Sequence, residues 1–213
     1  MESVWQQFLL GAKNATALEY IAVFSGIASV YFSRIQNVLV YPVGLVNTII
    51  YIYLSIKGDL LGEASVNLYY TIMSIIGWLA WIKKDEQKKL VLNVSFSDSV
   101  LWRNQILFFI FFYVAIFLVL SFLKKGFAKD AIPWADAFAS ATAFTGMWLM
   151  TKKKVESWYW WIATDIASIP LYFVKGYVIT SVYYTILFFM AISGLLAWIK
   201  SANRVNLQNG NTQ

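Results

Sequence analysis

The chain has 213 residues, 60% hydrophobic and 13% charged, against about 45–50% and about 25% in soluble domains, so it reads as an integral membrane protein. It has no Cys and no His, which excludes thiol nucleophiles, zinc sites, axial haem histidines and every Ser–His or Cys–His pair. The net charge of +6 does not point to nucleic acid, because the lysines sit in short clusters between apolar runs (Lys83-Lys84, Lys88-Lys89, Lys152-Lys153-Lys154), the pattern of membrane-protein loops.

Residues 1–14 carry an early apolar patch (Val4, Trp5, Phe8, Leu9, Leu10) with no basic leader or cleavage site, so a short interfacial helix is expected there rather than a signal peptide. The first span is predicted at 17–33, stopping at Arg34. The second, 38–56, holds no charge and carries Gly44, Asn47 and Tyr51 on one face. The third, 64–82, sets Asn67, Tyr70, Ser74, Trp78 and Trp81 along one stripe before Lys83-Lys84. Each is near the roughly 20 residues that cross the hydrocarbon core.

Residues 83–103 form the longest polar connection. Leu90, Leu92, Val94 and Phe96 alternate with more polar neighbours, which predicts a short extended piece without chemistry of its own. The fourth span, 104–123, is almost featureless aliphatic and Phe, and a helix apolar all round belongs against lipid or another subunit. The fifth, 134–151, brings Thr142, Thr145, Gly146 and Trp148, with Asp136 read as a solvated charge at its watery end. The sixth starts at Trp158 and ends near Lys175-Gly176. The seventh, 177–199, offers Thr180, Tyr183, Tyr184 and Trp198, and the polar tail from Lys200 is expected to be disordered.

The sixth span holds the most informative residue. Trp161, Asp165, Ser168 and Tyr172 follow at steps of four, three and four, so a helix puts them on one face. An ionisable group in mid-membrane costs several kcal/mol and faces a bundle interior or a water-filled cavity. The face suits a ligand that favours negative charge. Seven spans put the termini on opposite sides. Six Lys and Arg fall on the N-terminal side (13, 57, 124, 125, 129, 175) and eleven on the other (34, 83, 84, 88, 89, 103, 152, 153, 154, 200, 204). The basic side is cytoplasmic by the positive-inside rule, so the N-terminus is expected outside and the C-terminus inside.

The chain also repeats itself. Gly77-Trp-Leu-Ala-Trp-Ile-Lys83 is echoed by Gly194-Leu-Leu-Ala-Trp-Ile-Lys200 at an offset of 117, and Lys57-Gly58 by Lys175-Gly176 at 118. The fold expected is all-α: seven transmembrane helices as three, one and three, with parallel repeats related by an axis along the membrane normal, an architecture in which transporters bind between repeats. The divisions are an N-terminal interfacial segment (1–16), a first repeat (17–82), a cytoplasmic loop and linker helix (83–133), a second repeat (134–199) and a cytoplasmic tail (200–213). At the offset of 118, Asn47 answers Asp165 across the pseudo-two-fold axis.

Several stretches resemble the PnuC family of vitamin transporters: Tyr41-Pro42-Val-Gly44, Asn67-Leu-Tyr-Tyr70, Met73-Ser-Ile-Ile-Gly77-Trp78-Leu-Ala-Trp81, Trp148 with its lysines, and Glu156-Ser-Trp158 through Trp161, Asp165, Ser168-Ile-Pro170-Leu-Tyr172 and Lys175-Gly176. The resemblance covers about residues 19–200. It implies a SWEET-like arrangement of the helices, a homotrimer, residence in a bacterial inner membrane, and facilitated diffusion of nicotinamide riboside with trapping by cytoplasmic phosphorylation. Thiamine is the alternative substrate within the family, whose members are also linked to riboflavin and deoxynucleosides. Trp161 and Asp165 stand where the family has Trp followed four residues later by Asn or Asp. Ser74 stands where some relatives have a longer polar side chain.

Residue chemistry and resemblance agree on a flat cation such as a pyridinium or thiazolium, which aromatic faces attract by about 0.5–2 kcal/mol and a carboxylate attracts further. The candidate ligand contacts are Asp165, Trp161, Ser168, Tyr172, Asn47, Tyr51, Asn67, Tyr70, Ser74, Trp78, Thr145, Trp148 and Tyr184. No metal or cofactor is expected. A retinal photoreceptor needs a buried Lys in the last span, which 177–199 lacks. An intramembrane enzyme lacks a partner for Asp165 and a channel lacks a file of polar groups, while a SWEET-type sugar carrier is the more distant alternative, in which a mid-membrane charge would be wasted on a neutral ligand.

Overall fold

The computed structural model describes residues 4–57, 61–88, 90–124 and 131–210. Gly58, Lys89, Lys125 and Lys129, which enter the repeat and charge readings, and the last three residues of the tail lie outside these. Among the described residues there are eight helices: α1 (Val4–Asn14), α2 (Ala17–Arg34), α3 (Val40–Lys57), α4 (Leu61–Ile82), α5 (Ser99–Leu123), α6 (Pro133–Thr151), α7 (Ser157–Val174) and α8 (Val178–Gly210).

Local chemistry sets several of the boundaries. Thr16 and Glu19 form a capping box at the start of α2, where the chain turns by 111° from α1. Asp98 accepts from the Leu101 N–H at 2.7 Å and starts α5 five residues earlier than hydropathy suggests. Pro133 opens α6, where a missing N–H costs nothing. Gly176, at φ 83°, closes α7 with the Tyr177 N–H on the Tyr172 carbonyl, the left-handed turn that glycine permits. The tail departs from expectation: α8 continues past Lys200 to Gly210, because 201–209 hold neither Gly nor Pro and extend a helix already nucleated.

The helices close into a ring. α2 packs on α3, α3 on α4, α4 on α6, α6 on α7, α7 on α8, and α8 returns to α2; α5 lies outside against α6 and α1 outside against α8. Exchanging α2–α4 with α6–α8 maps the ring onto itself. Contacts recur at an interval of 117 residues. Tyr41 meets Trp81 edge-on at 5.1 Å, and Trp158 meets Trp198 at 5.6 Å. A Cβ on Gly77 would stand 2.5 Å from the Tyr41 ring, and one on Gly194 2.5 Å from the Trp158 ring. Trp81 Nε1 donates to the Met150 carbonyl at 3.1 Å, and Trp198 Nε1 to the Ser33 carbonyl at 3.0 Å. The two indoles lie 6.1 Å apart, so each half caps a helix end of the other through one shared aromatic cluster.

α3, residues Glu63–Ile82 of α4, α5, and residues Val178–Arg204 of α8 are long and apolar enough to cross a membrane. α6 has less need of apolar side chains, because its Ala- and Thr-rich surface is largely buried against neighbouring helices. α5 is the opposite case. Its one buried residue is Gln105, whose Oε1 accepts from Trp160 Nε1 at 2.8 Å.

The connection before α5 is docked rather than loose. It forms a bridge between Ser95 and Lys154, and buried Glu156 takes the Ser97 N–H at 2.9 and 3.0 Å and the Ser97 hydroxyl at 2.7 Å. We expect Glu156→Ala to cost about 2–3 kcal/mol, since both Ser97 donors lose their acceptor. A fall in melting temperature of about 5 °C or more, with new protease cleavage between residues 84 and 97, is the readout.

Candidate functional site

Asp165 sits in the middle of α7 and is 3% exposed. Among the described residues no donor reaches its carboxylate, and the ion pair they contain is elsewhere, Lys175 with Asp136 at 2.6 Å. That pair corrects the reading of Asp136 as a solvated charge: it also takes the Ile132 N–H at 2.7 Å and is mostly buried. An ionised carboxylate largely buried with no partner costs several kcal/mol. Structures keep such a group where something else is meant to meet it.

The surroundings of Asp165 are phenolic. Tyr70 from α4 and Tyr183 and Tyr184 from α8 lie within electrostatic reach of its carboxylate, and Tyr51 from α3 is similarly close to Tyr172 and Tyr183. The Tyr172 and Tyr184 rings stack at 5.3 Å, and Tyr183 meets Tyr184 at 5.7 Å. Trp161, one turn before Asp165, lies 6.2 Å from Tyr70 and against Gly146 of α6, where a Cβ would stand 3.2 Å from the indole. Opposite, a Cβ on Gly26 of α2 would overlap the Tyr183 hydroxyl and approach Asn47 Nδ2 at 2.9 Å. Glycine at 26 and 146 lets these aromatic side chains reach inward. All six ring helices therefore contribute to one enclosure.

Of the expected contacts, Trp161, Tyr70 and Tyr184 gather about Asp165, and Tyr51 and Tyr172 lie beyond them, Tyr172 stacked on Tyr184 and both within electrostatic reach of Glu63. Ser168 and Ser74 are buried beside them on α7 and α4, and Thr145 is buried with its hydroxyl on the Ala141 carbonyl at 2.8 Å. Asn47 is at the enclosure, but its amide donates to the Ala22 carbonyl at 2.6 Å and ties α3 to α2. Three others make different contacts. Trp78 is 36% exposed on the outer surface of α4, where an indole suits lipid as well as a cavity. Trp148 stacks on Phe108 of α5 at 4.8 Å with Lys152 over its ring, because α5 docks on that side of α6. The Asn67 amide turns back to the Glu63 carbonyl at 2.9 Å.

The pairing of Asn47 with Asp165 also shifts. Gly44 lies against Ser29 as Trp161 lies against Gly146, an interval of 117, and continued along the helix that interval matches buried Thr48 with buried Asp165. The extra residue behind the offset of 118 falls between Trp161 and Lys175. Tyr183, offered by the seventh span but not among the candidate contacts, also faces the enclosure. It adjoins Tyr184 on an apolar helix, and only the close approach of Gly26 marks it as inward-facing.

Residues 16–200 match the family described as nicotinamide mononucleotide transporter. The chain belongs to that family. Among similar proteins is the nicotinamide riboside transporter PnuC of Escherichia coli (strain K12), 22% identical over 213 residues, with 90% of this chain and 89% of that protein covered. Another is the riboflavin/roseoflavin transporter RibM of Streptomyces davaonensis, 20% identical over 194 residues, covering 91% and 89%. The crystal structure of the vitamin B3 transporter PnuC superposes with a TM-score of 0.72 at 20% identity, over 94% of this chain and 88% of that one. For this family member the likeness shows the all-helical fold, and family membership makes it a transporter.

Proposed function

We propose that the protein carries a flat, cationic vitamin, nicotinamide riboside first, and that Asp165 receives its positive ring. The observation that carries the reading is a buried carboxylate without a hydrogen-bond or ion-pair partner among the described residues, near aromatic rings from helices of both halves. Aromatic faces and a carboxylate both favour a pyridinium over a neutral ring, while Tyr hydroxyls and Ser168 suit ribose. The likeness to the Escherichia coli transporter supports this substrate. Thiamine, with its thiazolium, fits the same logic, and the likeness to RibM makes riboflavin the neutral comparator.

In this reading α2–α8 are seven spans arranged as three, one and three, and α1 lies at the interface. The contacts that recur every 117 residues support parallel repeats of the SWEET type, which would rock against each other to alternate access. The basic ends near Trp81 and Trp198 would face the cytoplasm of a bacterial inner membrane, with the N-terminus outside. The apolar, largely unburied surface of α5 suits lipid and the contacts of a homotrimer. Transport is facilitated diffusion, with phosphorylation inside trapping the vitamin. Vesicle uptake of nicotinamide riboside, thiamine and riboflavin tests this. The expected result is uptake of a cationic vitamin at a rate a proton gradient leaves unchanged. Preference for riboflavin overturns the substrate, and acceleration by the gradient overturns the energetics.

A further inference from the structure

At the end of the ring closed by Trp81 and Trp198 lies a cleft of about 420 Å³, lined among others by Gln36, Asn37, Trp81, Lys84 and Lys153. It is separate from the Asp165 enclosure. Lys153 is 4% exposed. Its Nζ gives one hydrogen bond, to the Leu92 carbonyl at 3.2 Å, and stands 4.5 Å from the centre of the Trp81 ring. Among the described residues no carboxylate lies within ion-pair distance of it. A buried ammonium has three donors and is costly without a counter-charge. Burial accordingly draws it below the usual lysine range.

The backbone adds a second observation. Lys153 has φ 52°, and Gln36, at the 117-residue interval, has φ 58°. Both close a helix in the same way: the Asn37 N–H bonds the Phe32 carbonyl at 2.9 Å, and the Lys154 N–H bonds the Leu149 carbonyl at 3.1 Å. Glycine ordinarily takes this left-handed position. Non-glycine residues held there gather at ligand sites, and both of these line the same cleft. The two halves thus share one turn, but only the second half places a cation in it.

We propose that this cleft is an anion site that binds a phosphate group, with Lys153 as the charge that selects it and Lys84 as the outer contact. A phosphate's several acceptor oxygens match the free donors of Lys153, Lys84 and the Asn37 and Gln36 amides. The group can belong to a soluble phosphate monoester or to a lipid headgroup, and the ligand would touch Trp81 directly.

The test uses the full chain and the variant Lys153→Gln, which restores the residue already tolerated at the equivalent turn. Purified protein in phosphate-free detergent is titrated calorimetrically with inorganic phosphate and with ribose 5-phosphate. In parallel, native mass spectrometry scores retention of phosphatidic acid against phosphatidylcholine. Saturable phosphate binding that weakens tenfold or more in Lys153→Gln supports a soluble ligand. Selective retention of phosphatidic acid that the variant loses supports a headgroup. Nicotinamide riboside binding unchanged in the variant shows that the fold and the Asp165 enclosure are intact. Absence of both phosphate signals, or signals that Lys153→Gln leaves unaltered, overturns the proposal.

Discussion

Replacing Asp165 by Asn lowers affinity for nicotinamide riboside by at least thirtyfold, about 2 kcal/mol, because the ligand's charge then loses the carboxylate beside it. The reduced, uncharged form of the same riboside provides the control. Its affinity should change less than threefold, since shape and hydrogen-bonding groups are nearly preserved. The same substitution should raise the melting temperature of the ligand-free protein, because a buried carboxylate without a partner destabilises the empty state. Binding and stability therefore move in opposite directions at one residue. Equal losses for the charged and reduced ligands would show that Asp165 shapes the enclosure without recognising charge.

The second large effect concerns packing. In an ordinary exposed helix, Gly→Ala stabilises by about 1 kcal/mol. At Gly77 and Gly194 the new methyl meets a buried ring at 2.5 Å, and neither Tyr41 nor Trp158, each 1% exposed, has room to withdraw. Overpacking of this kind costs about 1–3 kcal/mol, so both variants should melt several degrees lower than the parent, by similar amounts. The double variant should deviate from additivity, because the rings they displace, Tyr41 and Trp158, rest on the touching pair Trp81 and Trp198. Thermal unfolding in detergent decides it: a rise in melting temperature for either single variant would mean the helices part easily at these crossings.

Much of the fold was legible because lipid imposes length and apolarity on a helix, and those are linear properties of a sequence. Asp165 was legible for the same reason, as a charge where charge is costly. What stayed hidden is the direction of aromatic rings. Tyr70, Ser74, Trp78 and Trp81 fit one stripe on paper, yet Trp78 faces outward while Gly77 is buried against Tyr41. An indole suits lipid, protein and cavity alike, so its identity does not set the centre of a buried face. Trp148 illustrates the same limit. Its neighbour Phe108 belongs to a helix whose docking side no periodicity reveals. At Asn47 the echo of sequence and the register of contacts differ by one residue, because repeats drift by single residues within a helix.

The crossed indole bonds, Trp81 to Met150 and Trp198 to Ser33, have a kinetic implication. Each bond spans the seam between halves, so a hinge motion that ruptures one strains its twin in the same stroke. Under the proposed rocking of the halves, the two latches should therefore release together rather than one at a time.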